Sequence, residues 1–378
     1  MIRFWKNLVL KFVVLISSLD IVLSNSTTSD YKAWKTRICS AKPQLSKGFN
    51  LNCDKEKLEL LININKQEPV IFELVPQNQK TTQNQLAIPV KSYVSLSATH
   101  ISHLKKLHLL DLMVGFSRIQ DLNEQSLIKK HKQGLLIELG MIENIKLENI
   151  IALKPDVVLG YHFPGIENQL KNLSKNGTQM IYINEYLESS PLAYVEWIKL
   201  FGILFDKTEQ AIAQFNKIKN QYVELSAKAI KQVKKPTVLV NIPYGSTWFV
   251  PAGDNFMAHL IRDAGGDYVF ANTKGSFNLK LSLEAVIESG LEADFWINPG
   301  QHTHKTSLLK EDPRFALFKA YRTNRIFNNT KAVLEQRNND YFSRGLSNPH
   351  DLLADLVQVL HPEILTNRKL EWFHALLD

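Results

Sequence analysis

The sequence has few of the features that mark an enzyme, a membrane-spanning protein or a nucleic-acid binder. No run of about 18 uncharged apolar residues occurs, so we expect no integral transporter. The formal charge of +8 is spread along the chain without a long basic run, so we expect no nucleic-acid partner. Glycine-rich nucleotide motifs, HExxH and GxSxG are also absent. The sequence therefore predicts neither catalysis nor a cofactor.

Cysteine is scarce, because Cys39 and Cys53 are the only two in the chain. They do not have the paired spacing of a structural zinc site. In an oxidising compartment they could close a short loop through a disulfide, and in a reducing one they would be two free thiols. The spacing alone leaves both interpretations open.

The N-terminus has the pattern of a secretory signal. Arg3, Lys6 and Lys11 precede the apolar segment at 12–24, and small polar residues follow it. We therefore predict a signal peptide over 1–26, cleaved after Ser24 or Ser26, and a periplasmic mature protein. Asp20 interrupts the apolar segment, so an N-terminal anchor that stays attached is the alternative interpretation. No cysteine follows the segment to act as a lipoprotein acceptor.

The order of apolar segments predicts an α/β fold. Short apolar runs such as VVLG at 157–160 and TVLVNI at 237–242 alternate with helical patterns, which is typical of parallel sheets covered by helices. An apolar stripe containing Phe215, Tyr222 and Leu225 predicts one long helix between two such regions. The prediction is two doubly wound α/β lobes joined by one long rigid helix. The predicted segments are a signal at 1–26, a small N-terminal β extension at 27–90, a first lobe at 91–205, the linker helix at 206–235 and a second lobe at 236–378.

Loops that follow predicted strands carry the candidate ligand-binding side chains. In open α/β sheets, ligands bind outside the carboxyl ends of the strands, so these loops are expected to face one cleft between the lobes. Helix capping, packing between lobes and a hairpin core are the alternative roles for these side chains. The candidates are Ser97, Thr99, His100, Tyr161, His162, Tyr244, Trp248, His302, Asp340, Tyr341 and Arg344.

Four histidines in these loops make a metal site conceivable. His100, His162, His302 and His304 all follow predicted strands. The surrounding loops have no clear set of acidic partners, and a lone histidine usually serves packing or faces solvent. We therefore predict no metal ligation by these side chains.

Four segments resemble a known family. LENIIALKPDVVLGY, DNFMAHLIRDAGGDYVF, SLEAVIESGLEADFWIN and LSNPHDLLADLVQVLHPEI are similar to the class III substrate-binding proteins of ATP-driven importers, over about residues 92–365. The resemblance implies a monomer without catalytic activity whose lobes hinge little. It also implies an inter-lobe cleft that captures a ferric siderophore, haem or cobalamin.

The resemblance further implies a partner, the permease of an ABC importer in the inner membrane. By local match, Glu167 and Glu284 are the exposed glutamates that dock on arginines of that permease. The alternative role of each is a solvated carboxylate near a helix start. Two other functions remain open, which are a metal-ion receptor or chaperone using the histidines and a siderophore-processing hydrolase acting through Ser95 or Ser97. The sequence does not name the ligand.

Overall fold

The computed structural model of the protein describes residues 30–378, except 55, 65–67, 78–81, 83, 163–172, 174–176, 334–337 and 367. The predicted signal peptide at 1–26 and the predicted docking residue Glu167 lie outside the described residues. Within the described part of the chain, no helix has both the length and the apolar character that crossing a bilayer requires.

The N-terminal extension is a helix followed by a four-stranded sheet. Its helix α1 covers 30–39, and Cys39 at its end forms a disulfide with Cys53 just after the first strand. The sheet order is β1-β2-β3-β4, antiparallel except for the β3–β4 pair. Buried side chains of this sheet, such as Phe49 and Leu60, belong to the same core as the first lobe. The strands are β1 (Phe49–Asn52), β2 (Glu59–Ile62), β3 (Val70–Pro76) and β4 (Gln85–Ile88).

Two buried carboxylates of the first lobe fix residues 44–48 of the extension. Glu196 accepts hydrogen bonds from the backbone N–H groups of Gln44, Leu45 and Ser46, at 2.7–3.0 Å. Burial would raise the pKa of Glu196, but Lys199 and these N–H groups hold it below its ordinary value. Glu188 accepts from the Ser46 hydroxyl at 2.5 Å and from two further backbone N–H groups. The extension is thus joined to the lobe through charged hydrogen bonds as well as apolar contacts.

The first lobe has five parallel strands in the order β7-β6-β5-β8-β9. Its central strands are buried along their whole length, which explains their uninterrupted apolar sequences. The strands are β5 (Tyr93–Ser95), β6 (Met113–Phe116), β7 (Ile137–Glu138), β8 (Val157–Gly160) and β9 (Gln179–Tyr182). The helices are α2 (His100–Lys106), α3 (Gln125–Lys132), α4 (Leu147–Leu153), α5 (Pro191–Glu196) and α6 (Ile198–Leu204).

The long helix α7 (Thr208–Ala229) connects the lobes and is shorter than the predicted 206–235. Asp206 has a left-handed backbone (φ 56°), so the helix cannot begin there. The chain leaves the helix after Ala229, well before Pro236. At 22 residues the helix is about 33 Å long. Phe215 packs in the core of the first lobe and Tyr222 in that of the second, so one rigid element enters both.

The second lobe has a five-stranded sheet in the order β13-β10-β15-β16-β17, parallel except for the edge strand β17. A small antiparallel sheet, β11-β12-β14, lies beside it. The strands are β10 (Thr237–Val240), β11 (Pro243–Tyr244), β12 (Thr247–Pro251), β13 (Asp267–Tyr268), β14 (Asn278–Leu281), β15 (Phe295–Ile297), β16 (Ile326–Asn328) and β17 (His374–Ala375). The helices are α8 (Phe256–Asp263), α9 (Leu283–Gly290), α10 (Leu308–Glu311), α11 (Lys319–Arg322) and α12 (Pro349–Leu360).

Candidate functional site

A cavity of about 720 Å³ lies between the two lobes. Asn241, Asn298 and Asn329 line it, and each directly follows a parallel strand of the second lobe, β10, β15 or β16. Tyr186, just after β9 of the first lobe, lines the opposite wall. The cavity therefore lies at the carboxyl ends of the strands, and its volume is within the usual range for small-molecule sites, about 300–1,000 Å³.

Side-chain amides form much of the polar lining. Asn241 and Asn298 have left-handed backbones (φ 67° and 56°), which asparagine tolerates better than most residues. This geometry turns the chain sharply at the end of a strand. In Asn255 and Asn339 the side-chain nitrogen donates one hydrogen bond to the backbone and the side-chain oxygen accepts another, so these amides hold loops in place. The buried Oδ1 of Asn298, by contrast, has no hydrogen-bond partner among the described residues.

Aromatic rings form the apolar lining. Tyr194 on α5 packs edge-on against Phe256 of α8, with ring centroids 5.9 Å apart, so the two lobes meet at this point of the cavity wall. Tyr341 is buried beside Phe342, and Tyr186 and Phe342 are both more than half exposed. A ligand here would contact aromatic faces from both lobes.

Glu188 is the one acidic side chain among the described lining residues, and none of them is Lys, Arg or His. Besides its contacts with residues 46–48, Glu188 accepts a hydrogen bond from the indole Nε1 of Trp197 at 2.9 Å. Its carboxylate is therefore already engaged by the extension and the first lobe. The described lining is otherwise uncharged.

Of the predicted site residues, the structure brings Tyr341 to the cavity but not Trp248. The Trp248 side chain is 0% exposed, and its ring lies 5.8 Å from that of Trp296 in the core of the second lobe. Trp248 therefore does not lie in the cleft between the lobes, contrary to its expected position. Trp248 is on the inner face of β12, whereas Tyr244 is at the exposed hairpin tip and is 84% exposed. Tyr244 does not line the cavity either.

Asp340 and Arg344 line a smaller pocket of about 150 Å³ at the lobe interface. The Arg344 guanidinium pairs with Asp340 at 2.7 Å and with Glu371 at 2.6 Å. Burial would raise the pKa of Asp340, but the hydrogen bonds from Arg344 and Ser343 hold it below its ordinary value. Arg344 is therefore engaged inside the second lobe and is not directed at the large cavity, which differs from its expected position.

The residues predicted between β5 and α2 are held by contacts with one another and with Glu185. His100 is buried with its Nδ1 3.0 Å from the Ser95 hydroxyl, and burial lowers its pKa to about 3. Ser97 contacts Thr99 at 2.9 Å, and the Thr99 hydroxyl donates to Glu185. Burial raises the pKa of Glu185 to about 7, despite that hydrogen bond. None of these side chains is among the described residues that line the cavity.

The histidines do not converge. His302 contacts Ser307 at 2.7 Å and Glu311 at 2.9 Å. His162 lies near Tyr182, with ring centroids 6.1 Å apart, and its neighbour Tyr161 packs edge-on against Tyr186. Within the ranges that the structure describes, no group of three or more His, Cys, Asp and Glu side chains is placed to hold a metal ion.

Sequence reasoning missed the asparagines and Tyr194. A signal for the asparagines exists, because the segments VLVN, FWIN and IFNN each place an asparagine at the end of a buried strand, at Asn241, Asn298 and Asn328–Asn329. Tyr194 gives no such signal, because it lies within a buried helix whose sequence is apolar on several sides.

The model of the family described as "Periplasmic binding protein" matches residues 94–332. An uncharacterised lipoprotein of Methanocaldococcus jannaschii is 25% identical over 350 residues, which cover 85% of this chain and 79% of that protein. The vitamin B12-binding protein of Vibrio parahaemolyticus is 25% identical over 207 residues, covering 53% of this chain and 68% of that protein.

A solved structure shares the fold. The possible iron-binding (periplasmic solute-binding) protein of Staphylococcus epidermidis superposes with a TM-score of 0.57 at 19% identity. The superposition covers 72% of this chain and 99% of that one. The family match begins at residue 94, so the N-terminal extension lies outside that match.

Proposed function

Because the chain belongs to the periplasmic binding protein family, we propose that it is an extracytoplasmic receptor that captures an iron chelate or cobalamin and delivers it to the permease of an ABC importer. The observation that carries the proposal is the 720 Å³ cavity at the carboxyl ends of the strands, with walls from both lobes. The predicted secretory signal at 1–26 supports a location outside the cytoplasm.

The names of similar proteins support the ligand class. One relative is a vitamin B12-binding protein, and one protein of the same fold is described as possibly iron-binding. Tyr341 and Tyr186 are the aromatic contacts that we propose for such a ligand, one on each lobe. Ligands of this size bury much of their surface against aromatic and apolar side chains.

Two other functions find less support in the geometry. A metal-ion receptor would need converging ligands, but the described histidines have separate partners, such as Ser95 for His100 and Ser307 for His302. A hydrolase would need an accessible nucleophile paired with a base, but Ser95 is fully buried and the hydroxyl of Ser97 contacts the hydroxyl of Thr99 at 2.9 Å.

The proposal includes docking on the permease through Glu284. This residue is in the first turn of α9, and its side chain is 72% exposed. Arg314 pairs with it at 3.1 Å, and hydrogen bonds at the helix start together with Arg314 lower the pKa of Glu284. A charged, exposed carboxylate can pair with a basic partner without first leaving a buried site. Glu167 is the proposed counterpart on the first lobe.

A ligand screen tests the proposal. The purified protein is titrated with a ferric trihydroxamate, haemin, cyanocobalamin and ZnCl₂, and the melting temperature and visible absorbance are recorded. A ligand present at 100 times its Kd stabilises the folded state by about 2.7 kcal/mol, which raises the melting temperature measurably. We expect stabilisation by an iron chelate or cobalamin. Stabilisation by zinc alone, or by none of the four, would contradict the proposal.

A further inference from the structure

The short segment that carries Tyr186 has a buried polar residue at each end. It follows β9 and forms a single 3₁₀ turn, Glu185–Leu187. Tyr186 lines the cavity and is more than half exposed. The residues before and after the turn, Asn184 and Glu188, are only 2% and 8% exposed. The contacts of these two residues therefore determine where the turn and its tyrosine lie.

The N-terminal extension contacts both of these residues. The side-chain nitrogen of Asn184 donates to the carbonyl oxygen of Asn63 at 3.4 Å. Glu188 accepts from the Ser46 hydroxyl at 2.5 Å and from the backbone N–H of Gly48 at 3.0 Å. The N–H of Asn63 in turn donates to the carbonyl oxygen of Gly48 at 2.8 Å, so the two points of contact are hydrogen-bonded to each other. We call residues 46–48 together with Asn63 the clamp.

The clamp packs closely against the first lobe. A Cβ at position 48 would lie 2.2 Å from the fully buried ring of Trp197 and 3.2 Å from the Glu188 carboxylate, so only glycine fits there without a shift of its neighbours. The indole Nε1 of Trp197 donates to the same carboxylate at 2.9 Å. Phe49, which follows the clamp, packs on the Trp197 ring with centroids 5.1 Å apart. The Glu188 carboxylate is therefore held by the extension and by the core of the lobe together.

Asn184 extends this influence to a second loop at the end of a strand. Its Oδ1 accepts the backbone N–H of His162, which lies after β8, at 3.1 Å. The neighbouring Tyr161 packs edge-on against Tyr186, with ring centroids 6.4 Å apart. A displacement of Asn184 would therefore reach Tyr186 both along the chain and through Tyr161.

We propose that the clamp positions the ligand site by holding the Glu185–Leu187 turn, so that the Tyr186 ring is in place before a ligand arrives. None of the described extension residues lines the cavity, so the clamp acts through Asn184 and Glu188 and not by touching the ligand. A contact side chain that is already fixed loses less conformational freedom on binding, which favours affinity. This inference rests on the proposed function and assigns part of ligand recognition to a segment before residue 94, where the family match begins.

Ser46→Ala tests the clamp, because it removes only the hydroxyl that donates to Glu188. Calorimetry measures the affinity of the wild type and the variant for a ferric trihydroxamate, haemin and cyanocobalamin. We expect the variant to bind whichever of these the wild type binds about fivefold more weakly, because a hydrogen bond to a charged group is lost. Ser46→Thr keeps the hydroxyl and should restore most of the affinity. Unchanged affinity in Ser46→Ala would overturn the inference and leave the proposed function standing, whereas a wild type that binds none of the three would overturn both.

Ser40→Ala is the matched control. Ser40 is also in the extension, but its hydroxyl donates to the carbonyl oxygen of Arg37 at 2.6 Å, at the end of α1. This variant loses a serine hydroxyl of the extension without affecting the clamp, so its ligand affinity should equal that of the wild type. Equal losses of affinity in Ser40→Ala and Ser46→Ala would overturn the inference.

A double-mutant cycle separates the positioning of Tyr186 from a general structural role. Tyr186→Ala removes the ring, and we expect it to weaken binding more than Ser46→Ala does. In the Tyr186→Ala background, Ser46→Ala should change affinity by less than about twofold, because the side chain that the clamp positions is gone. Losses that multiply, or unchanged affinity in Tyr186→Ala, would overturn the assigned role.

Discussion

At the scale of single residues, Trp248 is an example of an aromatic side chain that stabilises the fold. Its indole lies among Trp296, Phe315 and Phe318, and its Nε1 donates to the carbonyl oxygen of Val240 at 3.0 Å. Aromatic clusters of this kind supply much of the apolar burial in a core. The second lobe therefore depends on this side chain for folding.

We expect Trp248→Ala to lower the free energy of unfolding by about 3–5 kcal/mol, because it leaves a large cavity in the core. Urea denaturation followed by fluorescence measures this change. Tyr244→Ala, on the paired strand but 84% exposed, is the control and should change stability by less than about 0.5 kcal/mol. A variant at Trp248 with unchanged stability and weakened ligand binding would contradict the core assignment.

Glu185 makes stability depend on pH. Burial raises its pKa from 4.5 to about 7, so between these values the unfolded state loses a proton that the folded state keeps. The contribution of Glu185 to the free energy of unfolding therefore falls as the pH rises from 4.5 to about 7, by up to roughly 3 kcal/mol. Glu185→Gln should remove this dependence. The free energy of unfolding of the variant, relative to that of the wild type, should increase from pH 4.5 to 7 and then stay constant.

Unfolding curves of both proteins between pH 4.5 and 8 measure the difference. Burial also lowers the pKa of His100 to about 3, which destabilises the fold below about pH 6.5, but this effect is common to both proteins and cancels. The exposed Glu148→Gln is the control. Parallel curves for Glu185→Gln and the wild type would show that Glu185 has an ordinary pKa.

The sequence predicted the loops of the site better than the side chains in them. Strand ends can be located from apolar runs, and so Tyr341 was placed correctly at the cavity. Which face of a hairpin packs inward is decided by the sheet behind it, so the sequence alone does not decide between the cleft and a hairpin core for Trp248. The engagement of Arg344 by Glu371 joins residues 27 positions apart, and no local pattern contains that information.

At the scale of elements, the alternation of helices and strands was predictable because both have distinct apolar periods. The ends of α7 were not, because they depend on a left-handed residue at Asp206 and on tertiary packing at Ala229. Gly265 lies against the carbonyl oxygen of Ala229 with φ 78°, so close that a side chain at 265 would clash. The last residue of α7, Ala229, is thus packed closely against the backbone of the second lobe.

The disulfide between Cys39 and Cys53 joins α1 to the sheet of the extension. It closes a loop of 14 residues in sequence separation, for which loop-closure entropy predicts a stabilisation of about 3 kcal/mol. We expect Cys39→Ser with Cys53→Ser to lower the free energy of unfolding by this amount. Reducing agent should destabilise the wild type similarly and have no effect on the double variant. Equal stability of the wild type with and without reductant would contradict the prediction.

At the scale of the whole molecule, the lobes are held by more than one connection. Helix α7 enters both cores, and Lys106 of the first lobe donates to the carbonyl oxygen of Ser347 in the second at 2.6 Å. Asn123 and Asp340 form another contact across the interface, at 3.3 Å. Large hinge motions would have to break these contacts or bend the helix.

We therefore expect small-angle scattering to give the same radius of gyration, within error, with and without a bound chelate. The measurement uses the ligand identified by the screen at a saturating concentration. An unliganded control measured at several protein concentrations excludes changes caused by association. A decrease in radius comparable to full domain closure would contradict a rigid connection.

Charge reversal tests the proposed docking of the whole molecule on a permease. Glu284→Lys should leave ligand affinity unchanged and slow uptake in cells, because charge pairs at an interface guide association and orientation. Glu292→Lys is a matched control, since Glu292 is 71% exposed, pairs with Arg322 and lies just beyond the other end of α9. Equal uptake by both variants at equal protein levels would contradict a docking role for Glu284.

The hydrogen bonds between residues 44–48 and the first lobe have a consequence for the evolution of the chain. Six donor groups of the extension serve Glu188 and Glu196, and losing the extension would leave both carboxylates buried with too few partners. Loss of the extension and replacement of these two glutamates should therefore occur together in evolution. Relatives that lack the extension are expected to carry neutral or apolar residues at the positions of Glu188 and Glu196, and those that keep both acids should keep the extension.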